Sequence, residues 1–147
     1  MSTYGTPAGV AVYVRHMLNG AATFDSSTKP PIAHVEQWLV ERSAQLTACL
    51  AAAGYAVPVT QPDAKTVLDR YANIGAAGDC ELSMRNSGYS ADDENAREIK
   101  FLAEFDKACA WIQSGALTGL GVPQAAEQAR SGIAVGRLTA GSDYIVR

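Results

Sequence analysis

The sequence predicts a mainly α fold: a four-helix bundle-like body over residues 1–115 and an extended C-terminal arm over residues 116–147. Three observations predict it. Apolar residues recur at spacings of three and four in separate runs before Gly115. Ala, the strongest helix former, supplies much of a hydrophobic fraction of 48%. Beyond Gly115 that periodicity fades, and Gly119, Gly121, Gly132, Gly136 and Gly141 punctuate small and apolar residues.

The first helix is predicted from Thr6-Pro7, a capping residue followed by a proline suited to the first helical position. Val10, Val14, Met17 and Leu18 continue it, and Asn19-Gly20 stops it. Ala21 to Asp25 reads as a short strand or an extended link, and Ser26 to Lys29 as a loop. The second helix runs from about Pro31 to Ala53. Ile32, Val35, Leu39, Leu46, Leu50 and Ala53 form its stripe, with Cys49 beside it. Arg42 and Ser43 interrupt that stripe, as a partner contact or as a snorkelling side chain would. Gly54 ends the helix, and Tyr55 to Val59 is an extended connector.

The third helix begins near Thr60 to Asp63 and carries Val67, Leu68, Tyr71 and Ile74; Leu82 and Met84 extend it to about Arg85. Gly75 and Gly78 each cost roughly 1 kcal/mol in a helix interior, so either the helix breaks there or something packs closely. The fourth helix starts around Ser90 or Ala91, where Asp92, Asp93 and Glu94 complement the positive end of the helix dipole. Ile99, Leu102, Phe105, Ala108, Cys109 and Ile112 form its apolar face. In the arm, a helical turn is expected from Pro123 to Ala129, and Ile133–Val135 and Tyr144–Val146 have strand composition. The candidate protein-interface residues are Leu120, Val122, Ile133, Val135, Arg137, Leu138, Tyr144, Ile145 and Val146.

Length and composition bound the function. A chain of 147 residues suits a single domain able to bury a core. The net charge of −3 and pI of about 5.3 argue against a dedicated nucleic-acid surface. No run of about 18 apolar residues suggests a membrane span, and the N-terminus lacks signal-peptide character, so intracellular synthesis is expected. Cys49, Cys80 and Cys109, odd in number and widely spaced, are expected as small buried hydrophobes rather than a disulfide framework. His16 and His34 belong to no zinc-ligand spacing, and Asp92-Asp93-Glu94 lacks the EF-hand pattern. No metal or cofactor is expected. Gly75 to Gly78 does not fit a phosphate loop, and no nucleophile elbow occurs. A nucleophilic Cys49 close to His16 or His34 in space stays open. Trp38 and Trp111 suit core packing, or anchoring at an interface.

The order of these pieces has a likeness. A short helix with a link ending in Phe24 precedes the Pro-led run Pro31-Ile32-Ala33-His34-Val35-Glu36-Gln37-Trp38-Leu39. Then come Leu50-Ala51-Ala52-Ala53-Gly54-Tyr55-Ala56-Val57-Pro58 and a helix bearing Leu68-Asp69-Arg70-Tyr71-Ala72. Over roughly residues 6–85 the chain resembles the head–tail connector, or adaptor, proteins of tailed bacteriophages. The resemblance implies a non-enzymatic helical virion protein of the neck, made in the host cytoplasm. It implies a ring, usually twelve-fold, that binds the portal protein and neighbouring neck or tail proteins. DNA would pass through the lumen without sequence-specific binding, and no membrane would be involved. The alternative reading is a small cytoplasmic helical regulatory or protein-binding module, which would remain a monomer or dimer.

Overall fold

The computed structural model describes residues 3–85 and 97–126. Among them lie five α-helices and no strand: α1 (Pro7–Tyr13), α2 (Ile32–Ala52), α3 (Pro62–Arg85), α4 (Arg97–Gln113) and the single turn α5 (Ala116–Gly119). A 3₁₀ turn over Arg15–Met17 follows α1. The mainly helical fold is therefore the one the periodicity predicts.

Thr6 caps α1, its Oγ1 accepting from the Gly9 N–H at 3.1 Å. The chain leaves α-geometry at Val14 and turns through Asn19 at φ 49° and Gly20, where the sequence places its stop. The following stretch is a link rather than a strand. Phe24 drops into the core at 1% exposure, and Asp25 organises the loop. Its Oδ1 accepts from Ser27 N, Ser27 Oγ and Thr28 N at 2.7, 2.7 and 3.0 Å.

Val35, Leu39, Leu46 and Leu50 of α2 are buried as the stripe predicts, and Ser43 is buried with them. The polar gap in the stripe is filled from within the chain. The Tyr4 N–H donates to Ser43 Oγ at 2.8 Å, and that hydroxyl is placed to donate to Leu39 O at 2.6 Å or Tyr4 O at 3.1 Å. Tyr4 is wholly buried, and the next two N–H groups find side chains on α3: Gly5 to Asp69 Oδ1 at 2.8 Å and Thr6 to Asn73 Oδ1 at 2.9 Å. The N-terminal segment thus exchanges backbone solvation for three specific side-chain acceptors. At the far end of α2, Gly54 N bonds Ala51 O and Tyr55 N bonds Leu50 O, both at 3.0 Å. With Gly54 at φ 82°, this is a Schellman ending.

α3 runs unbroken through Gly75 and Gly78. Of the two explanations open from the sequence, close packing holds. A β-carbon on Gly75 would lie 2.7 Å from Phe105 Cδ2 and 2.9 Å from Arg42 Cδ. One on Gly78 would lie 2.9 Å from Leu102 Cδ2 and Cγ. Ala72, Ala76, Ala77 and Cys80 are also buried on α3, so small residues let α4 approach its backbone. Phe105, Ala108 and Ile112 are the buried residues of α4. The acidic cluster Asp92-Asp93-Glu94 and the expected start of this helix lie outside the described residues.

The cysteine expectation needs correction. Cys80 is a buried free thiol, as expected. Cys49 and Cys109 instead form a disulfide between α2 and α4, with Cα atoms 5.5 Å apart across 60 residues of sequence. The reason is geometric. Sequence spacing places Cys49 beside the stripe of α2 and Cys109 on the apolar face of α4, but it does not say which turn of α2 faces which turn of α4.

Candidate functional site

The C-terminal end of the body is where the sequence placed the start of the arm. α4 ends at Ser114-Gly115, and α5 follows at once with Leu117 at 0% exposure. The chain then reverses, Val122 N bonding Leu117 O at 3.1 Å, and Val122 enters the core at 3% exposure. Leu120 is partly buried against the same core. Next, Ala56 N bonds Pro123 O at 2.9 Å and Ala125 N bonds Gly54 O at 2.8 Å, an antiparallel bridge pairing Tyr55 with Gln124. The Tyr55 hydroxyl meets Thr118 Oγ1 at 3.2 Å.

This arrangement places two of the candidate interface residues against the body. Val122 is a core residue and presents no surface to a partner. Leu120 packs partly against its own body. The fold back through Gly121 (φ 78°) carries both inward, so the packed unit continues past residue 115 to about Ala125. Ile133, Val135, Arg137, Leu138, Tyr144, Ile145 and Val146 lie outside the described residues, as do the two expected strand segments. The helical turn expected from Pro123 falls partly outside them too.

Several polar side chains of the body engage one another. Arg42 bonds Asp79 through Nε and Nη2 at 2.8 and 2.6 Å and lies 4.8 Å above the Phe105 ring. The interruption of the α2 stripe is therefore spent inside the body rather than on a partner. Glu81 Oε1 lies 3.1 Å from His16 Nε2 and 2.9 Å from Arg97 Nε, neither pairing being aligned as a hydrogen bond. Arg97 also donates to Tyr13 O at 2.7 Å. His34 rests near Trp38, ring centres 6.0 Å apart, and Trp111 near Tyr71 at 5.9 Å. Both tryptophans pack partly buried against the core.

Cys49, open from the sequence as a nucleophile beside a histidine, is bonded to Cys109 instead. Burial pushes the Cys80 thiol up to about 12, and the charges of Asp79 and Glu81 add to that rise. That environment disfavours a thiolate at Cys80. Among the described residues, no group of three or more His, Cys, Asp or Glu side chains could hold a metal ion. Among the same residues, no helix is long and apolar enough to cross a membrane.

Exposed large apolar side chains are scattered: Val12, Val40, Val57, Leu82 and Ile99. Val12 borders a shallow groove of about 260 Å³, which Ala8, Ala11, Arg15, Leu18 and Ala22 help to line. Sequence reasoning missed Asp79 as the partner of Arg42 and Tyr4 as a core residue, because neither follows a local period. No protein-family model, curated protein or solved structure matches this chain.

Proposed function

We propose that this protein is a non-enzymatic structural adaptor of a phage-like particle, forming a ring that joins the portal to the rest of the neck. The observation that carries the reading is the backbone pairing of residues 123–125 with 54–56. It holds the chain against the helical body as far as residue 125, just before residues 127–147 in sequence. Those residues include Ile133, Val135, Leu138, Tyr144, Ile145 and Val146, enough apolar surface to repay ordering on a companion chain. The resemblance over residues 6–85 spans α1 to α3, the part of the chain that the N-terminal segment ties together. A heterologous contact between copies, repeated around an axis, closes such bodies into a ring. The ring size, twelve by resemblance, and the partners, portal and neck or tail proteins, belong to this proposal. So does residence in the virion neck after synthesis in the host cytoplasm.

Electron microscopy of native particles labelled on this chain, with the solution mass of the purified protein, tests the reading. A collar between two larger components, or a closed ring of copies, is expected. A monomer or dimer that never joins a larger assembly would favour the regulatory module instead.

A further inference from the structure

We infer that Cys49 and Cys109 form a reversible thiol–disulfide site, able to open and close within the folded protein, whose closure fastens α2 to α4 beside the platform that holds residues 116–125. The inference stands independently of the adaptor reading. Both cysteines are partly exposed on the flanks of their helices, while Cys80 is fully buried. The 5.5 Å between their Cα atoms lies within the range bridged without backbone movement. The core beneath is built without the sulfurs: Leu46, Leu50, Ile112 and Leu117 are each wholly buried. Opening the pair therefore leaves the apolar contacts that define the fold.

Position gives the closure its effect. Cys49 sits in the last turn of α2, which ends in the Schellman turn that aims Tyr55 at Gln124. Cys109 sits near the end of α4, which leads through Gly115 into Leu117 and Val122. A bond between them ties together the two elements that carry residues 54–56 and 116–125.

The chemistry balances as exchange with a small-molecule disulfide such as oxidised glutathione. One protein thiol loses its proton, and its sulfur attacks a glutathione sulfur. The S–S bond breaks, releasing one glutathione thiolate and leaving a mixed disulfide. The second protein thiolate attacks the protein-side sulfur and expels the second glutathione. Two protein thiols are oxidised, one glutathione disulfide is reduced to two thiols, and the protons pass to the released thiolates. Reduced glutathione drives the reverse.

The test incubates the full-length protein in glutathione buffers of graded oxidised-to-reduced ratio. Peptide mass spectrometry reads the thiols, circular dichroism reads the fold, and hydrogen exchange reads residues 54–56 and 116–125. The expected result is a pair that follows the buffer ratio while the helical signal stays constant. Cys80 escapes maleimide until denaturant is added, and amide protection at 116–125 is lower in the open state. The Cys49→Ser/Cys109→Ser variant folds and shows the open-state protection at every ratio. Chain entropy predicts that opening raises the unfolding equilibrium constant by about a thousandfold. Unfolding of the reduced chain or of the double variant would overturn the inference. So would a pair that stays inert to glutathione while folded, or equal protection in both states.

Discussion

Arg42 donates two hydrogen bonds to the Asp79 carboxylate, Nε to Oδ2 at 2.8 Å and Nη2 to Oδ1 at 2.6 Å. The side chains are only 17% and 14% exposed, so solvent screens the pair little. Removing one partner leaves the other charge half-desolvated, which costs more than the net value of the pair. Asp79→Ala is expected to lower stability by about 2–3 kcal/mol in urea unfolding. A double-mutant cycle with Arg42→Ala should return a coupling of about 1 kcal/mol or more. A coupling near zero would show that the pair acts only through packing on Phe105.

Gly75 and Gly78 give a prediction of opposite sign to helix propensity. On an exposed face, Gly→Ala in mid-helix stabilises by about 1 kcal/mol. Here the new carbon meets Phe105 and Arg42 at position 75, and Leu102 at position 78, at 2.7–2.9 Å. Overpacking of that kind costs about 1–3 kcal/mol. Both Gly75→Ala and Gly78→Ala should therefore lower the thermal unfolding midpoint. A raised midpoint in either would show that α4 yields at no cost.

Much of the body was legible because its helices announce themselves twice, by period and by ending. Thr6-Pro7 and Gly54 mark boundaries that the backbone respects, whereas the first helix ends at Tyr13, short of the Asn19-Gly20 stop expected for it. What stayed hidden depends on which helix face meets which. The disulfide needed the rotation of α2 against α4. The inward course of Val122 needed the reversal at Gly121 and a pairing with Tyr55, 69 residues away by the Tyr55–Gln124 bridge. The glycines of α3 were readable as a choice between break and contact, and only Phe105 and Leu102 decide it. Of the candidate interface, the sequence signal of apolar residues among glycines did not reveal that Leu120 and Val122 turn back onto the core.

Asp25 gives a pH prediction. Its carboxylate lies below the ordinary value of 3.8, first because the Ser27 hydroxyl donates to it, then because the Ser27 and Thr28 N–H groups do. A carboxylate depressed in the folded state stabilises above its unfolded pKa, and that stability fades as pH falls through the folded value. The stability difference between the native chain and Asp25→Ala should be full near neutrality and shrink below pH 3.8. Matched urea titrations across that range read it. A difference that grows toward acid would reverse the assignment.

Gly54 tests the platform. Its φ of 82° strains any L side chain, and a β-carbon would lie 2.9 Å from Gln124 Oε1. Gly54→Ala should cost about 1–2 kcal/mol from the left-handed backbone alone. It should also lower hydrogen-exchange protection at Ala56 and Ala125, whose N–H groups bond Pro123 O and Gly54 O. Loss of stability with unchanged protection there would confine the effect to the end of α2.

Two truncations separate the folded unit from what it presents. A chain ending at residue 126 keeps Leu117 and Val122 in the core and retains the Tyr55–Gln124 pairing. It should unfold as cooperatively as the full chain, yet lose attachment to native particles under the adaptor proposal. A chain ending at residue 115 loses both buried side chains and uncovers Tyr55, itself 3% exposed. Emptying a buried Leu site alone costs about 2–5 kcal/mol, so this shorter chain should be markedly less stable in denaturant unfolding. Equal stability of the two truncations would mean that residues 116–125 merely rest on the body. Particle attachment that survives the longer truncation would move the docking surface onto the helices themselves.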